Sequence, residues 1–147
     1  MRQGYLSQYC EGIAAKRLSG VEAHPEISHQ HEFNGVQAIQ TVLGPCAPRK
    51  QFKARFLYMS DSSEDPEVEN APITWYDARE NHPTRSECRL SFPGTAISER
   101  AREGDALVIG RLQNGEVLIL IAAAGSTAEQ QVIWLFDLPD LSEGALS

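Results

Sequence analysis

Two nearly continuous apolar runs, Gly104 to Leu112 and Glu116 to Ala123, flank the polar triplet Gln113, Asn114 and Gly115. Short runs that are apolar on both faces belong to strands buried in a core, and an Asn-Gly pair favours a type I′ turn. This is the clearest hairpin in the chain. A second is predicted where Ile73 to Arg79 and Arg85 to Phe92 are joined by a polar turn holding Asn81, His82 and Pro83. Further strands are expected over Gly12 to Ser19 (GIAAKRLS) and Phe52 to Met59 (FKARFLYM), the latter rich in β-forming aromatics.

Helical spacing is confined to short stretches. Val36, Ile39, Val42 and Leu43 form an apolar stripe over Val36 to Leu43, with Asn34 as the expected N-cap and Gly44 and Pro45 as the stop. A last helix, Ala128 to Phe136, is capped by Ser126 or Thr127 and carries Val132, Ile133, Leu135 and Phe136 toward a sheet. Tyr5, Leu6 and Tyr9 suggest a short helix or arm over Met1 to Glu11, and Thr95 can cap a helical turn before Glu103. Val21 to Gly35 is irregular and polar, and Ser60 to Asn70 is acidic and poor in apolar residues, so both read as loops. The predicted class is mainly β with short helices (α+β). The expected architecture is an open β-barrel or strongly curled sheet of six or seven strands, mostly sequential antiparallel neighbours, closed by helices.

At 147 residues and 41% hydrophobic content the chain suits a single domain over residues 1–147 with a sizeable core. No apolar run approaches the roughly 20 residues that span a bilayer, and MRQGYLSQYC lacks the apolar region of a secretory signal. A cytoplasmic protein with no membrane partner is expected. Three widely spaced cysteines, Cys10, Cys46 and Cys88, argue against a disulfide framework.

The net charge of -7 disfavours a nucleic-acid partner until its distribution is followed. Residues 103–147 hold seven acids and only Arg111, and residues 61–70 hold five acids and no base, which leaves twelve bases against eight acids elsewhere. One basic face is compatible with that polarity. The second hairpin concentrates such residues: Arg79, Arg85 and Arg89 with Asn81, Thr84, Ser86 and Glu87. Strand alternation sends Arg85, Glu87 and Arg89 to one face. Arg forks onto the two acceptors of guanine and a carboxylate accepts from the cytosine amino group, so this set matches base-pair edges in a major groove. The alternative for the same residues is a solvated hairpin with cross-strand ion pairs. Lys16 and Arg17 end a strand, where they suit phosphates or an ordinary solvated edge. Arg49 to Lys53 form a basic loop before another strand, and Arg49 and Lys50 there suit the DNA backbone.

His24, His29 and His31 raise the possibility of a metal-dependent hydrolase, but no Cys-x-x-Cys pair or finger spacing accompanies them. A loop offering hydrogen-bonding side chains is the favoured role, and a β-barrel binding a small molecule or a protein is a further alternative. No lysine follows Lys53 to complete a nuclease pattern of acids and Lys, and no nucleophile elbow, P-loop or dinucleotide fingerprint occurs. This domain alone is expected to be no enzyme and to need no cofactor.

The ordered series KRLS (Lys16 to Ser19), HQ (His29, Gln30) with its following helix, WYDAR, TRSECRLS, GDALVIGRL and the helix after Ser126 resembles the N-terminal effector-binding domain of EcoRII-type restriction endonucleases. The resemblance covers most of the chain. It implies the DNA-binding pseudobarrel fold and two arms that grip the major groove of double-stranded DNA at a CCWGG-type site. HQHEFN falls on the N-terminal arm and TRSECR on the C-terminal arm. Base-reading roles pass to His29, Gln30, Asn34, Arg85, Glu87 and Arg89, and backbone contacts to Lys16, Arg17, Arg49, Lys50, Arg79, Thr84 and Ser86. Cys88 stands where that pattern has a basic residue, and Asn34 where it has an aromatic one. The resemblance further implies a prokaryotic source, and a covalently linked nuclease domain after Ser147 that alone would use Mg²⁺. DNA bound to the present domain would then target cleavage or activate it allosterically.

Overall fold

The expected alternation builds seven strands: β1 Cys10–Arg17, β2 Glu32–Asn34, β3 Lys50–Met59, β4 Glu67–Asp77, β5 Cys88–Ser91, β6 Ala106–Leu112 and β7 Val117–Ala122. A computed structural model describes residues 4–23, 32–61, 67–94, 96–138 and 141. Its helices are a 3₁₀ turn at Tyr5–Tyr9, α1 Gly20–Ala23, α2 Gln37–Leu43, α3 Ala96–Arg100 and α4 Thr127–Leu135. The protein is mainly β, as its sequence predicts. Among the described residues no helix is long and apolar enough to cross a membrane.

All strands join one sheet in the order β1-β6-β7-β3-β4-β5-β2, which curls into a half-barrel. The sheet does not close into a barrel, because β1 and β2 lie at opposite ends of the order, and this agrees with the expected open, curled sheet. Two features of the sheet differ from expectation. It is mixed, since β3 pairs with β7 in parallel while every other pair is antiparallel. Only β3-β4, β4-β5 and β6-β7 are neighbours in sequence. The long excursion between β3 and β7 supplies the crossover that a parallel pair requires.

The concave side holds the main core, with Phe33, Phe56, Ile73, Trp75, Leu90, Ile109 and Ile119 almost wholly buried. Ile39, Val42 and Leu43 of α2 and Ile97 of α3 pack into it. The predicted α2 stripe is thus correct, but its N-cap is Val36, because Asn34 is drawn into β2. Gly44, with φ 85°, ends the helix as expected. A second cluster forms on the convex side, where Ala15, Ala106, Val108, Leu120 and Ala122 meet Val132 and Phe136. Ser126 caps α4 by accepting from the Glu129 amide at 3.0 Å, and Asp61 accepts from the Thr127 and Ala128 amides at 2.9 and 3.1 Å. Asp61 thus helps to cap α4, and the expected loop up to Asn70 gives way to β4 at Glu67.

Two local expectations are corrected. The β6-β7 turn is not type I′: Gly115 alone takes positive φ, at 89°, and its amide bonds the Leu112 carbonyl at 2.9 Å. With the Leu112 amide donating to Glu116 O at 2.8 Å, the connection is a three-residue loop with Gly in the left-handed position. Cys46 and Cys88 form a disulfide, leaving Cys10 free. The loop after α2 returns over β5 and brings their Cα atoms to 5.7 Å, a proximity invisible in a spacing of 42 residues.

Candidate nucleic-acid interface

Among the described residues no helix packs on the convex face of β4, β5, β2 and the first half of β3, whereas Leu57 and Met59 at the far end of β3 join the convex apolar cluster. Elsewhere on this face the outward side chains in cross-strand register are largely polar. Thr74 lies beside Gln51 and Ser91, Tyr76 faces Arg89, and Asn34 faces Arg89 from the other side. The Ala78 amide donates to Glu87 O at 2.8 Å, which prolongs the ladder by one pair and sets Glu87 beside Arg89.

Beyond that pair the chain turns away as a loop, so β5 begins at Cys88 and not at the expected Arg85. The predicted strand alternation therefore does not reach Arg85. Asp77 organises the loop. Its Oδ1 accepts from the Arg79 and Glu87 amides, both at 2.8 Å, and its Oδ2 accepts from the Ser86 hydroxyl at 2.9 Å. These bonds hold the Asp77 carboxyl below the usual carboxylate range, the Glu87 amide contributing most. His82 Nδ1 accepts from the amides of Thr84 and Arg85 at 3.2 and 3.0 Å. Arg85 and Thr84 thereby sit exposed on an ordered tip, and the Arg85 guanidinium has no partner among the described residues.

A chain of charges crosses the face. Arg79 Nε lies 3.6 Å from Glu87 Oε1. Glu87 Oε2 accepts from Arg89 Nε at 2.9 Å and Nη2 at 2.5 Å, and Arg89 Nη1 donates to Glu32 Oε1 at 3.1 Å. The Tyr76 hydroxyl donates to the other Glu32 oxygen, and the Arg49 guanidinium lies 5.0 Å above the Tyr76 ring. Hydrogen bonding to Arg89 holds the Glu87 carboxyl low, while Glu87 and then Glu32 raise Arg89. Burial, followed by the hydrogen bond to Glu32, pushes Tyr76 up to about 12. The Arg89 guanidinium and the Glu87 carboxylate are therefore both ionised at neutral pH.

The predicted residues divide. Asn34, Arg49, Arg79, Thr84, Arg85, Glu87 and Arg89 come together on this face and its loop. His29 and Gln30, with His24 and His31, lie outside the described residues. The Ser86 hydroxyl is engaged by Asp77, and Lys50 Nζ donates to Pro45 O at 2.9 Å. Lys16 is only 6% exposed and pairs with Glu22, itself 4% exposed, at 2.5 Å, so its ammonium is not presented to a ligand. Arg17 pairs with Glu129 and donates to Gly104 O at 3.2 Å.

The buried Glu22 was not singled out by pattern, yet it positions the arm. It accepts from the Ser19 amide at 2.9 Å, receives the Asn34 amide at 2.7 Å, and its own amide donates to Ser19 Oγ at 3.2 Å. Ser19-x-x-Glu22 is a capping box, and that spacing was the available signal. Glu32 and Tyr76 carried no such signal, because their partnership depends on β2 pairing with β5. Among the described residues no group of three His, Cys, Asp or Glu side chains is placed to hold a metal ion. No protein-family model matches the chain, and no curated protein matches it significantly.

Proposed function

We propose that this face binds double-stranded DNA in the major groove and reads a CCWGG-type sequence. The observation that carries the reading is the unpartnered Arg85 on an Asp77-braced loop, beside an Arg89–Glu87 fork and with Asn34 opposite Arg89. Arg85 offers guanine a free bidentate donor. Arg89 and Glu87 are oriented by each other, and on binding they exchange that bond for a guanine and a cytosine amino group. Arg49, Arg79 and Thr84 contact the backbone and fix the register. The seven-stranded half-barrel fits the DNA-binding pseudobarrel that the sequence resembles. On this reading the domain targets or activates cleavage by a type II restriction endonuclease whose nuclease part follows Ser147, and it does no chemistry itself.

A mobility-shift titration with CCWGG and scrambled duplexes at two salt concentrations tests this, with the Arg85→Ala/Arg89→Ala protein alongside. The CCWGG duplex should bind more tightly, and the double variant should lose that preference, each base contact supplying about 1–3 kcal/mol. Equal affinity for both duplexes in the native protein would overturn the reading.

A further inference from the structure

One row of side chains on the same convex face has no role in the base-reading set. Gln51, Lys53 and Arg55 alternate outward along β3 and are exposed, and Arg49 continues the row just before the strand begins. Side chains two residues apart on a strand are separated by about 6.6 Å, so Arg49 to Arg55 spans about 20 Å. At 3.4 Å of rise per base pair that is about six base pairs. Lys53 and Arg55 form no ion pair among the described residues, in a chain whose net charge is -7.

The neighbouring strand shapes this row into a seat. Asn70 faces Arg55 across the ladder, Pro72 faces Lys53, and an open hollow of about 440 Å³ lies among Lys53, Arg55, Asn70, Pro72 and Glu116. Pro72 carries no amide hydrogen, and the register of β4 with β5 spans only Thr74 to Asp77, so Pro72 sits on an unpaired stretch of edge. That withdraws a donor needed for strand addition. Glu116, on the β7 side of Lys53, bounds the cationic strip there. The features favour an extended polyanion laid over side chains, and the strip begins at Arg49, whose guanidinium already stacks on Tyr76 of the candidate interface.

We propose that Lys53 and Arg55 bind phosphates of duplex DNA flanking the recognition site, with the Asn70 amide as a neutral donor. The footprint then extends about six base pairs past the segment read by the loop. This rests on the DNA-binding reading above. The strip adds affinity without sequence preference, since phosphate contacts carry none.

Fluorescence anisotropy tests it, comparing the native protein with Lys53→Gln/Arg55→Gln on a duplex of the bare site and on one with long flanks, across a salt series. Thermal melts confirm that the variant is folded, as expected for two exposed side chains. The native protein should prefer the flanked duplex, and the variant should lose that preference. The slope of log K against log salt on the flanked duplex should fall by about 1.8, at roughly 0.9 per lost phosphate contact. Discrimination between CCWGG and scrambled sites should be unchanged. A variant with the native slope and the native preference for flanks would overturn the strip while leaving the base-reading face intact. Failure of the native protein to bind any duplex would overturn both.

Discussion

The two halves of the sheet share one inner face and differ in the outer one. Along β1, β6 and β7 the outward side chains are Ala15, Ala106, Val108, Leu120 and Ala122, covered by Val132 and Phe136. Along β3, β4, β5 and β2 they include Lys53, Arg55, Asn70, Tyr76, Arg89 and Asn34, and among the described residues no helix is packed over them. The first half is held from both sides by burial. Inward packing alone, supplemented by polar ties and a disulfide, holds the second. Such a division leaves one surface free to change its partners without loosening the core beneath it.

Truncation sharpens the contrast most. Ile119, wholly buried on β7, should lose about 2–5 kcal/mol when changed to Ala, whereas Arg55→Ala should stay within about 0.5 kcal/mol of the native protein. Denaturant unfolding measures both. Comparable losses would mean that the β3 face is covered in solution. The disulfide comes next. Cys46→Ser/Cys88→Ser should destabilise the domain by about 2–4 kcal/mol, since the bridge closes a separation of 42 residues. Unchanged unfolding under reducing conditions would show that β5 is held without it.

The first half was the more legible. Gly104 to Leu112 and Glu116 to Ala123 are apolar on both faces because both faces are buried, so periodicity located β6 and β7 within a residue or two. Even there the turn was misassigned: with Asn114 at negative φ, the Asn-Gly signal served a three-residue loop. In the second half the sequence placed Arg79, Arg85, Glu87 and Arg89 near one another, because a hairpin is local. It could not show that β2 docks on β5, so Asn34 was assigned to a helix cap when it faces Arg89. Tertiary pairing also decided Lys16 and Cys88. Lys16 reads as a solvated strand end yet is buried against Glu22, and three widely spaced cysteines give no hint that Cys88 meets Cys46.

The smallest effect concerns the polar ties of the β4–β5 loop, and its sign follows from protonation. Asp77 is held below the usual carboxylate range by the Glu87 amide first, then the Arg79 amide, with a smaller contribution from the Ser86 hydroxyl. A carboxyl whose folded pKa is depressed contributes stability that is present above its unfolded value, near 3.9, and lost as pH falls through the folded one. Acidification should therefore loosen the loop while β6 and β7, whose ladder carries no such group, keep their protection. Amide exchange at Glu87 and Arg79, followed from pH 5 to pH 2 and corrected for intrinsic rates, should show protection falling with pH. Asp77→Asn keeps an acceptor at Oδ1 but has no charge to lose, so its protection should start lower and stay flat. A native loop equally protected at both ends of that range would show that Asp77 does not brace the tip carrying Arg85. The proposed base reading by Arg85 would then have to rest on order gained only on binding DNA.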